Sequence, residues 1–365
     1  MKHSSKLLLV LLLVMAVAFA GIVGCSKKDE SPTTPKTDQE ITLDASQPLV
    51  QAAMGVQNRH TPNLMADPNV IGTAVTAGDD GKPAVMVLVL NDKAARSVPA
   101  QIEGVNTKVI VTDRIVAMAT TAVSHTAKQT PPIQLGTSGG WRYDLANGYC
   151  CSGTLGSLIK VGSQLRVLSN YHVFEADIVS GGNGRVATTG DPIIQPGMVD
   201  ISCNAANAQN VATLVVTKSL PNSNVDCSSA TIISGMVNTT GAILEVGTIS
   251  SSTVAAAVNQ AVKKSGRTTG LTRSKVSGLN ATISVQYENE CAGGTAFTKT
   301  FTGQILVTNT RSRFLSGGDS GSLMVQDVTT NPKAVGLLFA GSTSIAVANP
   351  IGPVLSFFGA TMVGN

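Results

Sequence analysis

Three residue types, far apart in a chain of 365 residues, could together perform acyl transfer: a serine, a histidine and an aspartate. The serine stands in Ser316-Gly317-Gly318-Asp319-Ser320-Gly321-Ser322-Leu323, ahead of the apolar run Leu323-Met324-Val325. Glycines let a backbone turn sharply and bring its N–H groups close to a substrate oxygen. A pair of such N–H groups can hold the oxyanion of a tetrahedral intermediate. Alone, Gly-Asp-Ser-Gly is also the composition of an ordinary turn. The hydroxyl needs a base, and His172 ends the apolar stretch Leu165-Arg166-Val167-Leu168-Ser169-Asn170-Tyr171-His172. A histidine there can take the serine proton and return it to a leaving group. The other three histidines are His3 near the N-terminus, His60 near an expected helix end and His125 in a linker, the last two expected to be solvated. An imidazole in this role needs a carboxylate to fix its tautomer. Asp226, before the strand-like run Ser228 to Ile232, is one candidate; Asp200 is its rival and Asp191 a weaker one.

The elements that must position these residues read as short strands. Gly153 to Ile159, a turn at Lys160-Val161-Gly162 and Leu165 to Ser169 form an expected hairpin. Similar strands separated by Gly, Asn and Ser turns continue from about Pro132 to the C-terminus, which predicts a mainly β barrel or sandwich. Before them, residues 47–120 read as a small α+β domain. Val50, Met54 and Val56 mark a short helix stopped at Pro62. Val70 to Thr76, Ala84 to Leu90 and Val109 to Ile115 mark three strands. Residues 121–131 read as a linker, and Thr120 to Gly140, with Pro131-Pro132, as the boundary region.

The N-terminus reads as an export segment. Lys2 and Lys6 precede an apolar run from Leu7 to Val23. Its end, Ile22-Val23-Gly24-Cys25, resembles the bacterial lipobox, which implies lipidation at Cys25 and a stable membrane anchor. Residues 26–46 read as a polar tether without an apolar face. The expected location is therefore the cell envelope, on the exported side. Five cysteines remain, Cys150, Cys151, Cys203, Cys227 and Cys291, so at most two internal disulfides can form and one thiol is left over. Adjacent Cys150 and Cys151 are not expected to bond to each other.

Composition narrows the function classes. Charged residues make up 13% and the net charge of +4 is scattered along the chain, so nothing points to nucleic acid. There is no C-x-x-C pair, which argues against a zinc site. Lys264-Ser265-Gly266-Arg267-Thr268-Thr269-Gly270 lacks the spacing of a phosphate loop, which argues against nucleotide binding. No metal or cofactor is expected, and the residues set no oligomeric state.

The order His172, Asp226, Ser320, with Asn170-Tyr171-His172-Val173 and Asn224-Val225-Asp226, resembles the bacterial members of the chymotrypsin/trypsin-like serine proteases. Lys264 to Thr272 resembles a strand and turn of their second barrel. The resemblance covers about Pro132 to Phe358. It implies a double β-barrel trypsin-like domain over residues 132–365, acting on a protein or peptide. Ser320 would be the nucleophile, His172 the acid/base and Asp226 its orienter, with the N–H groups of Gly318 and Ser320 as the oxyanion hole. Ala334 to Ser342 would pair with substrate backbone, with Phe339, Ala340 and Gly341 beside a pocket floored by Phe314. No carboxylate lies between Arg311 and Ser316, so no preference for basic residues is expected. The activation sequence Ile-Val-Gly-Gly is missing, so Asp319 needs another partner; Arg142, Arg267 and Arg313 are candidates. Residues 47–120 would be a removable pro-domain or a permanent accessory domain. The alternative is a catalytically silent protein of this fold that serves as a surface binding or adhesion module. Chain order also argues against an α/β-hydrolase esterase, in which serine comes first.

Overall fold

The computed structural model describes residues 42–115, 125–146, 149–175, 185–287 and 296–365. Cys25, most of the polar tether and Cys291 lie outside the described residues. The main elements, in chain order, are α1 (Pro48–Leu64), β1 (Val70–Ala77), β2 (Pro83–Val89), α2 (Asp92–Ser97), β3 (Gln101–Ile102) and β4 (Val105–Val111). There follow β5 (Thr137–Trp141), β6 (Gly153–Leu155), β7 (Ser157–Val161), β8 (Gln164–Ser169) and α3 (Tyr171–Phe174). Next come β9 (Pro192–Gln195), β10 (Gln209–Val215), β11 (Ser228–Ile232), β12 (Ala261–Gly266), β13 (Gly270–Tyr287) and β14 (Phe297–Thr308). The chain ends with β15 (Leu323–Gln326), β16 (Ala334–Gly341), β17 (Ile345–Pro350), α4 (Ile351–Phe358) and β18 (Ala360–Met362).

The fold is mainly β, and two barrels account for most of it. The first sheet runs β18-β7-β8-β11-β10-β9-β5-β6. Only Gly156 separates β6 from β7, so one bent strand pairs with β5 through one half and with β8 through the other, which closes the sheet on itself. Its interior holds Trp141, Leu155, Leu158, Val167, Phe174 and Ile193 in one buried cluster. The second sheet contains the ring β12-β15-β16-β17-β14-β13, closed by the β12–β13 pairing. Closure pairs each strand of the ring on both sides over part of its length, which limits the edge open to edge-to-edge association.

The N-terminal strands join that second sheet. β1 pairs antiparallel with β13, and β2, β4 and β3 follow outward, β2 and β4 in parallel. The 18-residue length of β13 makes this possible. Its first part pairs with β12, and its later part lies between β14 and β1. At the crossing, a Cβ on Gly72 would come within 2.8 Å of Ile283 and 2.9 Å of the Thr282 carbonyl, so only glycine lets the strands approach this closely. Buried Ile71, Ala74, Met86 and Leu88 share one apolar cluster with Ile283, Val285, Phe301 and Phe339. Helix α1 adds a polar tie. The Gln57 amide donates to Thr73 Oγ1 (2.9 Å) and to the Asn280 carbonyl (3.1 Å), and Asn280 Nδ2 donates back to Gln57 Oε1 (2.9 Å).

Several local expectations change. Pro62 lies inside α1 rather than ending it. The missing N–H falls in the last turn, and the Met65 N–H bonds the Thr61 carbonyl at 2.9 Å, so the ladder resumes past the ring. The segment from Leu43 to Asp44, within the expected tether, pairs with Ala257–Val258. His125, expected to be solvated, is 3% exposed and bonds Glu245 Oε2 at 2.6 Å. His60 is partly exposed and bonds Glu103 Oε1 at 2.8 Å. Cys150 is bonded to Cys203, and Cys227 is a free, buried thiol.

Candidate functional site

The histidine and the aspartate meet where β8 and β11 run side by side. Ser169 is opposite Ser228 in this pair, so the residues just beyond, His172 on α3 and Asp226 before β11, face each other. His172 Nδ1 lies 2.6 Å from Asp226 Oδ2. Asp226 is fully buried, while the His172 side chain is 14% exposed. The other carboxylate oxygen, Oδ1, accepts the backbone N–H groups of Tyr171 (2.7 Å) and His172 (3.4 Å) at the start of α3. Asn170 Nδ2 donates to the Asp226 carbonyl (2.7 Å), and the Asp226 N–H donates to Asn349 Oδ1 (2.9 Å). Tyr287, at the end of β13, donates its phenol to Asp226 Oδ2 at 2.8 Å.

The rival carboxylates are occupied elsewhere. Asp200 takes Arg267 in a bidentate pair, Nε at 2.7 Å and Nη2 at 2.6 Å, and also accepts Ser138 Oγ. Asp191 accepts Trp141 Nε1 at 3.0 Å.

Ser320 lies in the turn between β14 and β15, 1% exposed. Gly318 (φ +89°) and Gly321 (φ +93°) occupy the left-handed region that favours glycine. The turn is locked to the first barrel. Thr154 of β6 donates its N–H to the Ser320 carbonyl (2.8 Å) and its hydroxyl to the Gly318 carbonyl (2.9 Å). On the other side, the Gly321 N–H reaches the Leu338 carbonyl of β16 at 2.9 Å. Among the described residues, the N–H groups of Gly318 and Ser320 have no hydrogen-bond partner. The hydroxyl of Ser320 is directed at the Phe339 carbonyl, 3.5 Å away, and His172 Nε2 has no partner among the described residues. The aspartate–histidine pair is therefore assembled, and the serine–histidine hydrogen bond is not made.

Asp319 anchors the turn through a partner other than the expected arginines. Its Oδ1 accepts the N–H groups of Thr268 (2.9 Å) and Thr269 (3.1 Å). Its Oδ2 accepts the Ser316 N–H (2.9 Å) and Thr269 Oγ1 (2.7 Å), and lies 3.2 Å from Lys264 Nζ. Both side chains of this ion pair are fully buried, and burial holds the Lys264 ammonium below its usual pKa against the opposing pull of Asp319. Arg267 is committed to Asp200, Arg142 donates to Asn210 Oδ1 at 3.1 Å, and Arg313 is exposed. The missed signal was a lysine pair, Lys263-Lys264, inside a strand that is buried from Val262 to Gly266.

The residues expected to meet substrate are largely internal. Phe339 and Ala340 are fully buried, and Phe339 packs on Phe301 at 4.9 Å between ring centroids. A register shift between Leu338 and Ala340 turns the Phe339 carbonyl out of the β16–β17 ladder toward Ser320. β15 pairs along β16 only as far as Leu337, and among the described residues Phe339, Ala340 and Gly341 have no strand partner on that side. Phe314 is 2% exposed, in one cluster with Val262, Val276 and Met324. Asn309, fully buried, bridges its neighbourhood to β16. Its Nδ2 donates to the carbonyls of Leu315 (2.9 Å) and Ser342 (2.7 Å), and its Oδ1 accepts the N–H groups of Phe314 and Leu315. Just past β4, Thr112 Oγ1 hydrogen-bonds Ser342 Oγ (2.9 Å) and Ser344 Oγ (2.6 Å). Glu175 is a further buried carboxylate that sequence reasoning passed over. It accepts Ser228 Oγ (2.6 Å) and the N–H groups of Thr217 and Lys218.

Residues 209–348 match the family described as the Nal1 C-terminal domain. No curated protein matches the chain. Among solved structures, the chain is similar to Thermobifida fusca protease A, with 21% identity over 64% of this chain and 99% of that one, at a TM-score of 0.41. It is similar to Cellulomonas bogoriensis chymotrypsin at 19% identity, over 64% and 99% of the two chains, with a TM-score of 0.39. A third is a glutamic acid-specific serine protease described as using a histidine triad in substrate binding. It is 19% identical, over 63% of this chain and 100% of that one, at a TM-score of 0.41.

Proposed function

We propose that this chain is an exported serine endopeptidase, anchored at the cell envelope by a lipid on Cys25. Ser320 is the nucleophile, His172 the acid/base and Asp226 the group that orients the imidazole. The observation that carries this reading is the 2.6 Å contact between His172 Nδ1 and Asp226 Oδ2, with Nε2 unpartnered among the described residues. The carboxylate fixes the tautomer in which Nε2 is free to accept a proton.

In the reaction, the Ser320 hydroxyl turns from Phe339 to His172 and gives its proton to Nε2 as Oγ adds to the peptide carbonyl carbon. The carbonyl oxygen becomes an oxyanion, and the unengaged N–H groups of Gly318 and Ser320 receive it. The imidazolium then protonates the leaving amine as the C–N bond breaks, which leaves an acyl group on Ser320. Water, deprotonated by the same imidazole, hydrolyses that ester and restores the hydroxyl. The substrate backbone adds along β16 beyond Leu337, where main-chain hydrogen bonds supply affinity. Its side chain is directed toward Phe314. With no carboxylate from Arg311 to Ser316, cleavage after Lys or Arg is not favoured.

A fluorophosphonate probe and a peptide-library digest, with wild type and Ser320→Ala side by side, test this reading. Labelling and cleavage in the wild type that vanish in the variant are expected. Equal labelling of both would overturn the role of Ser320. One observation favours the second reading, a silent binding module: Ser320 is 1% exposed and its hydroxyl faces Phe339 rather than His172. No labelling of the wild type would decide for that module.

A further inference from the structure

We propose that Tyr287 is a positioning residue which, through Asp226, sets the orientation and proton affinity of His172; this rests on the triad reading above. Asp226 Oδ1 is held by backbone N–H groups, so the position of the carboxylate is fixed from one side. Its Oδ2 receives His172 Nδ1 at 2.6 Å and the Tyr287 phenol at 2.8 Å. Among the described residues, Tyr287 supplies the one side-chain hydroxyl on this oxygen. β16, which runs beside the nucleophile, is Ala-Val-Gly-Leu-Leu-Phe-Ala-Gly and has no hydroxyl to offer. The donor comes instead from the far end of β13.

The ring is itself held in place. It stacks on Phe297 at 4.9 Å with planes 8° apart, and its centroid lies 5.8 Å from that of His172, edge to face. Desolvation, and then the charge of Asp226, push the phenol well above its usual pKa, so Tyr287 remains a neutral donor. Among the described residues, the other ionisable groups around the pair are Tyr171, Cys227 and Glu175. Glu175 is engaged by Ser228, Thr217 and Lys218, while burial raises both Tyr171 and Cys227.

The sign follows from charge. With His172 neutral, the aspartate–histidine pair carries one negative charge; with His172 protonated it carries none. A donor on Oδ2 stabilises the charged form more, so Tyr287 lowers the proton affinity of the pair and keeps Nε2 available as a base nearer neutral pH.

The test uses Tyr287→Phe in the full chain, which keeps the ring against Phe297. The acid limb of the pH profile of kcat/KM is expected to move up by roughly one pH unit. At pH 6 the variant should be about tenfold slower than wild type, with most of the loss recovered at high pH. Independently, the His172 ring protons are titrated by NMR in Ser320→Ala and in Ser320→Ala/Tyr287→Phe. An upward shift in the second supports the proposal even if wild type neither cleaves nor labels, in which case only the protease reading fails. An unmoved titration, with or without a loss of thermal stability, would overturn it. Should Tyr287→Phe fail to fold, 3-fluorotyrosine can replace the four tyrosines of the chain. A stronger phenol donor should then move the His172 titration down, and no movement would overturn the proposal.

Discussion

The carboxylate of Asp226 is held by two backbone amides, an imidazole and a phenol. Asp226→Asn keeps the shape but presents the wrong partner to Nδ1. It should lower kcat by about 10⁴ at neutral pH, with a far smaller effect on KM. The ion pair of Lys264 and Asp319 answers to a different physical rule. A buried pair broken from one side leaves an uncompensated charge. Lys264→Met should therefore cost about 3–5 kcal/mol in urea unfolding, and adding Asp319→Asn should recover part of that. At the surface, Arg59 first and His60 second hold the Glu103 carboxyl at about 2, below its ordinary 4.5. A depressed carboxyl adds stability above its unfolded pKa and loses it as pH falls through the folded one. The melting temperature of wild type should accordingly approach that of Glu103→Gln between pH 4.5 and 2. The group is exposed and the difference will be small.

At the scale of elements, the two barrels touch through backbone at the Ser320 turn. A Cβ on Gly156, the corner of the bent strand, would come within 2.0 Å of the Gly321 carbonyl. A Cβ on Gly321 would come within 2.2 Å of Ser169 Oγ and 2.4 Å of the Thr154 carbonyl, at a φ that also disfavours a side chain. Neither contact can relax without moving Ser320. Gly156→Ala should cost about 1–3 kcal/mol and reduce fluorophosphonate labelling, because the turn and β6 are driven apart. Gly162→Ala, at positive φ like Gly321 but with nothing near its Cβ, shows the effect of backbone strain without crowding. It should destabilise the chain without changing the rate of labelling.

Across the whole molecule, residues 42–115 and the second barrel share one sheet and one core. Leu43, Val50, Ala53 and Val75 lie in a single cluster with Val258, Val262, Val276 and Phe314. Removing the segment uncovers the β1 side of β13 and takes Ile71, Ala74, Met86 and Leu88 out of the cluster that holds Ile283 and Val285. A chain starting at residue 125 should therefore be insoluble or unfold well below wild type, and the intact chain should melt in one transition by calorimetry. Two separated transitions, with residues 42–115 melting first, would show a detachable unit. Mass spectrometry of the purified protein answers the related question of whether the segment is retained.

Much of this was legible in the residues. The contact of His172 with Asp226 was among the alternatives the residues left open, and alternating strands and turn glycines sufficed for a mainly β reading. The strands of residues 70–111 were visible too, because period-two patterns and turns are local. Local patterns cannot say which strand edge meets which, so pairing of β1 with β13 came only from the folded chain. The same limit hid Tyr287 and Lys264, whose partners lie 61 and 55 residues away and leave no trace in the spacing. The choice among Asp226, Asp200 and Asp191 was likewise made by packing, which gave Asp200 to Arg267 and Asp191 to Trp141. Residue type and order determined which chemistry was possible; only tertiary structure decided which groups sit close enough, in a medium dry enough, to act on each other.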